Sequence, residues 1–281
     1  MAAVIRGNLR KMATRLGSLG SPVEYLLRLD EQEVALNGYV GRRVRLRYCG
    51  EVHCVHCGRK SKKSFGQGYC YPCFRDLPEC DGCIVKPETC HYEAGTCRDP
   101  AWGLSHCFQD HYIYLANSSG IKVGITRGSQ IPTRWMDQGA TQALPILRVA
   151  NRLQSGLVEV ALKQHVADRT DWRKMLKGEA EPVALEQIRD ELLANCGAEI
   201  EALQARFGNE AIMVLENQTV QVINYPVITY PIKVTSLSFD KSDVVEGRLE
   251  GIKGQYLIFD SGVINIRKFG GYLVEFEELG V

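Results

Sequence analysis

Two cysteine pairs, Cys54-x2-Cys57 and Cys70-x2-Cys73, stand twelve residues apart in CVHCGRKSKKSFGQGYCYPC. Each Cys-x-x-Cys forms a knuckle that turns two thiolates toward one point. Two knuckles close a tetrahedral site, which suits structural zinc and leaves no open position for catalysis. Ten of the eleven cysteines lie between Cys49 and Cys107. The N-terminus, MAAVIRGNLRKMATRLG, is basic, but its apolar run is far too short for a secretory core. The expected location is therefore cytoplasmic, where disulfides do not persist and metal is the better use of so many thiols. A thioredoxin-like redox pair would need one such motif beside a βαβ pattern, which the sequence lacks.

A second block, CDGCIVKPETCHYEAGTC, supplies Cys80, Cys83, Cys90 and Cys97, with Cys107, His91, His106 and His111 nearby. A second structural zinc is expected there, with Cys80, Cys83, Cys90 and Cys97 as the favoured ligands and Cys49 and Cys107 as buried thiols. Both sites would stabilise a segment too poor in apolar residues to build its own core. Between the first two knuckles, Arg59, Lys60, Lys62 and Lys63 surround serines beside Phe65. Such a basic tip can touch nucleic-acid phosphate, and it reads equally as a solvated turn.

The 281 residues are 45% hydrophobic and 24% charged, ordinary for a globular chain. No apolar run approaches the roughly 20 residues of a membrane span, so no membrane partner is expected. The net charge of +1 hides an asymmetry: residues 180–281 carry an acidic excess, and residues 1–179 carry the balancing basic one. That basic portion is where an anionic partner would be sought, unless the acidic tail simply balances it. Residues 23–48 alternate apolar and polar, with Asn37-Gly38 as a turn, and read as two or three strands. Residues 218–278 read as five short strands (VQVINYPVITY, IKVTSLSF, GRLEGIKGQYLIF, GVINIRK, GYLVEFEEL), which suggests a small barrel or curled sheet that the N-terminal strands could complete. Between them, 144–150 reads as a strand and 157–166 as a helix. A second helix is capped by Thr170, and two packing helices follow Pro182. The expected fold class is α+β, divided as an N-terminal β segment (1–50), a zinc-binding, zinc-ribbon-like module (51–108), a small α/β module (109–180), a helical connector (181–214) and a C-terminal β domain (215–281).

From residue 111, HYIYLANSSGIKVGITRGSQIPTRWMDQGA gives strand, turn, strand and a loop with an arginine, and a further strand and a helix with a glutamate follow. Over about residues 110–178 this order resembles the GIY-YIG nuclease superfamily. Tyr114 matches the tyrosine of its first motif, Gly124 the glycine of its second, Arg134 its arginine and Glu159 its metal-holding glutamate. Lys122 stands where many members have tyrosine, as in the branch whose second motif reads Lys-Ile-Gly. Asp171 stands where some have asparagine. The whole chain also resembles an uncharacterised bacterial family that joins a cysteine-rich zinc module to such a segment.

The resemblance implies a divalent-metal-dependent nuclease that hydrolyses phosphodiester bonds of DNA or RNA. Glu159 would place one Mg²⁺ or Mn²⁺, which accepts a single carboxylate and keeps most of its waters. Arg134 would clamp the phosphate bidentately. Tyr114 would orient or deprotonate the water, with Lys122 lowering its pKa. Trp135 would stack on a base, or else pack under the loop. Asp168-Arg169-Thr170-Asp171-Trp172-Arg173 would cap a helix or form a polar rim to the site. Each residue also has a plainer reading: Tyr114 as sheet packing, Lys122 as a solvated strand charge, Arg134 as a surface cation, and Glu159 as the partner of Lys163 four residues on. Two rival functions follow, a nucleic-acid-binding protein whose nuclease-like module is inactive, and a zinc-stabilised protein-interaction module.

Overall fold

A computed structural model describes residues 4–18, 20–166 and 171–280. The N-terminal alternation becomes β1 (Ile5–Asn8), β2 (Ala13–Arg15), β3 (Glu24–Leu29), β4 (Gln32–Ala35) and the long β5 (Arg43–His53). Asn37-Gly38 forms a 3-10 turn whose Asn37 side chain accepts from the Tyr25 amide at 2.8 Å and donates to the Val23 carbonyl at 2.9 Å. The cysteine-rich stretch holds β6 (Lys60–Ser61) and three short helices, α1 (Tyr71–Asp76), α2 (Gly82–Val85) and α3 (Pro100–His106). Next come β7 (His111–Asn117), β8 (Ile121–Arg127), α4 (Thr133–Asp137), β9 (Gln142–Val149) and α5 (Arg152–Lys163). The chain continues through α6 (Trp172–Met175), α7 (Leu185–Asn195), α8 (Gly197–Phe207), β10 (Ile212–Val214) and β11 (Gln221–Val222). It ends with β12 (Val244–Lys253), β13 (Tyr256–Phe259), β14 (Gly262–Asn265) and β15 (Tyr272–Glu278).

The result is a mixed α+β fold of several antiparallel sheets. The largest runs β1-β15-β5-β12-β13-β14, with β6 added to β5. Its path is open, so the expected barrel is not closed, although both chain ends do meet in it. The meeting is reciprocal. The run β3, β4, 3-10 turn, β5 recurs as β13, β14, 3-10 turn, β15, with Leu27 answering Leu257, Asp30 answering Asp260, Gly41 answering Gly271 and Leu46 answering Phe276. The two runs exchange their leading strands: β1 pairs with β15, the start of β12 pairs with β5, and Leu46 lies opposite Phe276 at the join. Even the crossing hydrogen bonds repeat. Leu9 and Leu249 donate to the carbonyls of Tyr272 and Arg42 at 2.8 and 2.9 Å, and accept from the amides of Gly271 and Gly41 at 2.8 and 2.7 Å.

The second sheet runs β10-β9-β7-β8, with β11 on β9. Along β7 the two-residue period divides the burial. Ile113 and Leu115 pack with Val158 and Leu162 of α5 and with α7 and α8, whereas Tyr114 and Ala116 join the core of the large sheet. Both faces of β7 are therefore buried, and the two sheets share apolar surface. Gln255 adds a polar tie. Its amide donates to Asp137 at the end of α4 (2.9 Å), and its carbonyl oxygen accepts from the Met12 amide (2.9 Å).

Three expectations change. The glutamate helix starts at Arg152, because the Asn151 side chain accepts from the Gln154 amide at 3.0 Å and sets the cap there. The next helix is a single turn capped by Asp171, which accepts from the Arg173 amide at 2.9 Å. Thr170, Asp168 and Arg169 lie outside the described residues. Three of the five expected C-terminal strands do not form as read: VQVINYPVITY keeps Gln221–Val222 and isolated bridges at Asn224 and Val227, IKVTSLSF makes one isolated bridge, Ser236 to Val263, and GRLEGIKGQYLIF folds back at Gly254 into the hairpin of β12 and β13. Pro226 and Pro231 remove ladder donors ahead of IKVTSLSF.

Gly41 and Gly271 both hold left-handed φ, +90° and +84°. A Cβ on Gly271 would meet the His53 carbonyl oxygen, a backbone atom with no room to move. Gly271→Ala is expected to cost about 1–3 kcal/mol, measured by urea unfolding. Gly38→Ala, with nothing near its Cβ position, should change stability by less than about 0.5 kcal/mol.

Candidate functional site

The sulfurs of Cys54, Cys57, Cys70 and Cys73 lie within 4.8 Å of one another, a grouping that can hold a metal ion such as zinc. Cys54 follows the end of β5 and Cys70 caps α1, so both knuckles are set by ordered elements. Burial pushes the Cys54 thiol up, but backbone amides of Cys57, Cys70 and His56 outweigh it and bring it down to about 6, which favours the thiolate a metal needs. In the second block, Asp81, Cys83 and His91 come within 4.8 Å of each other, whereas Cys80, Cys90 and Cys97 are not drawn into that group. His91 and Arg98 both contact Asp81, at 3.3 and 3.0 Å.

Between this segment, the second sheet and the large sheet lies a cleft of about 740 Å³. One wall is β8 with α4 and α5, carrying Lys122, Gly124, Arg134 and Glu159. The opposite wall is cysteine-rich chain, including Gln67, Phe74 and Asp81; the link between β1 and β2 adds Lys11, and the 3-10 turn between β14 and β15 adds Arg267. The cysteine-rich wall docks closely on α5: a Cβ on Gly156 would lie 2.4 Å from the Glu88 amide nitrogen.

Three residues expected in the site line the cleft: Lys122, Arg134 and Glu159. Tyr114 stands directly behind it. It pairs with Gly124 across β7 and β8, and a Cβ on Gly124 would overlap its ring. Its hydroxyl donates to Gln138 at 2.9 Å. Burial raises its pKa to about 12, against the opposing pull of Arg134. Tyr114 is thus a neutral phenol at ordinary pH, the reverse of the lowered pKa expected of it. Glu159 sits 3.3 Å from Lys163 one turn on.

Other expected contacts fall elsewhere. Arg59, Lys60, Lys62 and Lys63 are exposed and do not line the cleft, and Lys60 is engaged by Glu51 at 2.8 Å. Trp135 is buried edge-to-face against Tyr114, 5.9 Å between ring centres, so it packs the core. Asp171 is a helix cap. The sequence reading passed over Arg127, Arg152, Arg267 and Gln138. A signal existed for Arg152, which stands seven residues before Glu159 and so shares its helix face.

The family model described as "Protein of unknown function (DUF2797)" matches residues 41–274. The chain belongs to that family, and the match includes every cleft-lining residue except Lys11. No curated protein and no solved structure matches the chain. Among the described residues, no helix is long and apolar enough to cross a membrane.

Two outcomes follow from this geometry. Metal analysis should find zinc in the purified protein, and Cys54→Ser should lose it together with several kcal/mol of stability in chemical unfolding. His111 is fully buried, its Nδ1 is bonded to the Gln109 carbonyl at 2.7 Å, and burial lowers its pKa to about 4. The unfolded chain binds that proton near pH 6.5. His111 therefore contributes stability that is present above pH 6.5 and lost as pH falls toward 4, at most about 3 kcal/mol. Unfolding of wild type and His111→Asn across this window should show the wild-type loss reduced in the variant.

Proposed function

We propose that the protein is a nuclease that hydrolyses phosphodiester bonds with a divalent ion, through a GIY-YIG-like module. The observation that carries this reading is the meeting of Lys122, Gly124, Arg134 and Glu159 on one wall of a single cleft, with Tyr114 behind Gly124. The residues fit a single Mg²⁺ or Mn²⁺, since one carboxylate faces a cleft with room for water. Such an ion, held by Glu159, would offset charge on the phosphoryl oxygens. Arg134 binds the phosphate, and its planar fork matches two oxygens. Tyr114, protonated and donating its one O–H to Gln138, packs behind Gly124 and holds Arg134 in place, without acting as a base. Lys122 adds positive charge beside Gly124. The zinc-binding segment supplies the opposite wall and so positions the strand.

A second reading, a nucleic-acid binder with an inactive nuclease-like module, is favoured by one observation: Lys163 already engages Glu159. Cleavage decides between them. With Mg²⁺ or Mn²⁺ and a panel of single-stranded, duplex and branched DNAs and RNAs, Glu159→Gln and Arg134→Ala should each lower the cutting rate by about a hundredfold or more, with melting temperature unchanged. Cutting that persists in Glu159→Gln would remove that residue from the site. Salt-sensitive binding without cutting by wild type would establish the second reading.

A further inference from the structure

Arg134 is not alone in the cleft. Arg127 ends β8, Arg152 opens α5, and Arg267 comes from the 3-10 turn between β14 and β15, and all three line the same space. Three of the four carboxylates on the walls are engaged by cations, Asp137 by Lys11, Glu159 by Lys163 and Asp81 by Arg98, and Glu79 lies 3.9 Å from His56. Arg152 anchors one Nη to the Ile84 carbonyl, while its Nε is buried with no hydrogen-bond partner. A buried guanidinium donor left unpaired is costly, so a site that keeps one is built for an acceptor. Burial lowers the proton affinity of Arg152 and of Arg267. Arg134 lowers both further, Arg127 adds to the effect on Arg152, and Asp137 opposes it at Arg267.

We infer that Arg127, Arg152 and Arg267 form phosphate subsites beside Arg134. The cleft then holds a row of phosphates rather than one. This rests on the reading of Arg134 as the clamp of the reacting phosphate. The volume, about 740 Å³, is that of a pocket for one ligand. It suits a short single-stranded stretch or a frayed end and leaves no room for a duplex. Arg267 shows how the repeat was put to use. Its counterpart in the first copy is Asn37, whose side chain is consumed by backbone bonds to Val23 and Tyr25.

The test is fluorescence anisotropy of a labelled single-stranded oligonucleotide, without added divalent ions, over a salt series. Wild type is compared with Arg127→Gln and Arg267→Gln, each checked by thermal melting. Each variant should bind about tenfold more weakly and show a salt slope smaller by about 0.7. Wild-type affinity and slope in both folded variants would overturn the inference while leaving the nuclease reading to the Glu159→Gln cleavage assay. A second arm uses sodium tripolyphosphate and thermal shift. Stabilisation of wild type but of neither variant, with no strand binding, would keep the phosphate row, assign it to a small polyphosphate, and remove the nuclease reading. If neither probe binds wild type, the subsites are refuted.

Discussion

The exchange of leading strands between the two copies of the β motif fixes everything else. Because β1 completes the sheet beside β15 and β12 completes it beside β5, neither copy can close without the other. Residues 54–243 are thereby an insertion whose two ends emerge from one sheet. β5 runs straight into Cys54, so the first cysteine knuckle is carried on a strand that is itself locked between β12 and β15. On the other side, the turn after Arg267 passes so close to Gln67 that a Cβ on Gly270 would lie 2.3 Å from the Gln67 carbonyl oxygen. The walls of the cleft come from distant parts of the chain, but each is tied to the same sheet.

The same sheet explains where the charge goes. The sequence splits into a basic first part and an acidic last part, which invites the search for an anionic partner over the whole of the former. Much of the asymmetry is consumed within the fold. Arg45 reaches Glu246 and Glu277, Arg47 reaches Glu275, and Arg42 reaches Glu278, across the β5 ladders or beside them. These pairs are half-exposed, and each is worth little alone. Their effect is on distribution. They neutralise Arg42, Arg45 and Arg47, so the basic excess of the first part is smaller on the folded surface than in the sequence.

How much of this was legible follows from the range of the interactions. The cysteine tetrad was legible because its chemistry is local: two knuckles and a twelve-residue loop admit few alternatives. The strand-turn-strand order around Tyr114 and Gly124, and the helix of Glu159, were legible from period and spacing. The β repeat was hidden because its two copies share a hydrophobic rhythm but few identities, and strand exchange leaves no local trace. Arg127 and Arg267 were hidden for the same reason, since no spacing rule unites residues from separate elements, whereas Arg152 could be placed by its seven-residue spacing from Glu159. Trp135 illustrates the opposite error. A tryptophan beside an arginine invites a stacking role, yet β7 is buried on both faces and needs that ring to cover Tyr114. In the second cysteine block there were more thiols than places, so spacing alone could not choose a ligand set, and the structure gathers Asp81, Cys83 and His91 instead.

On the reading proposed above, catalysis or mere binding turns on whether Glu159 exchanges Lys163 for a divalent ion. The pair with Lys163 is an i,i+4 contact on α5, with the Glu159 side chain 15% exposed and that of Lys163 32%. A divalent ion with a phosphate beside it would offer Glu159 more charge inside a cleft partly shielded from water. The lysine would then give way when substrate and ion arrive together, and would hold the carboxylate in place when they do not. Tyr114 points the same way. A phenol kept neutral by burial is a poor base, and the donation of its one O–H to Gln138 keeps its oxygen beside Arg134. On that reading the site would be assembled by its substrate, with the cleft arginines supplying the binding energy that draws Glu159 away from Lys163.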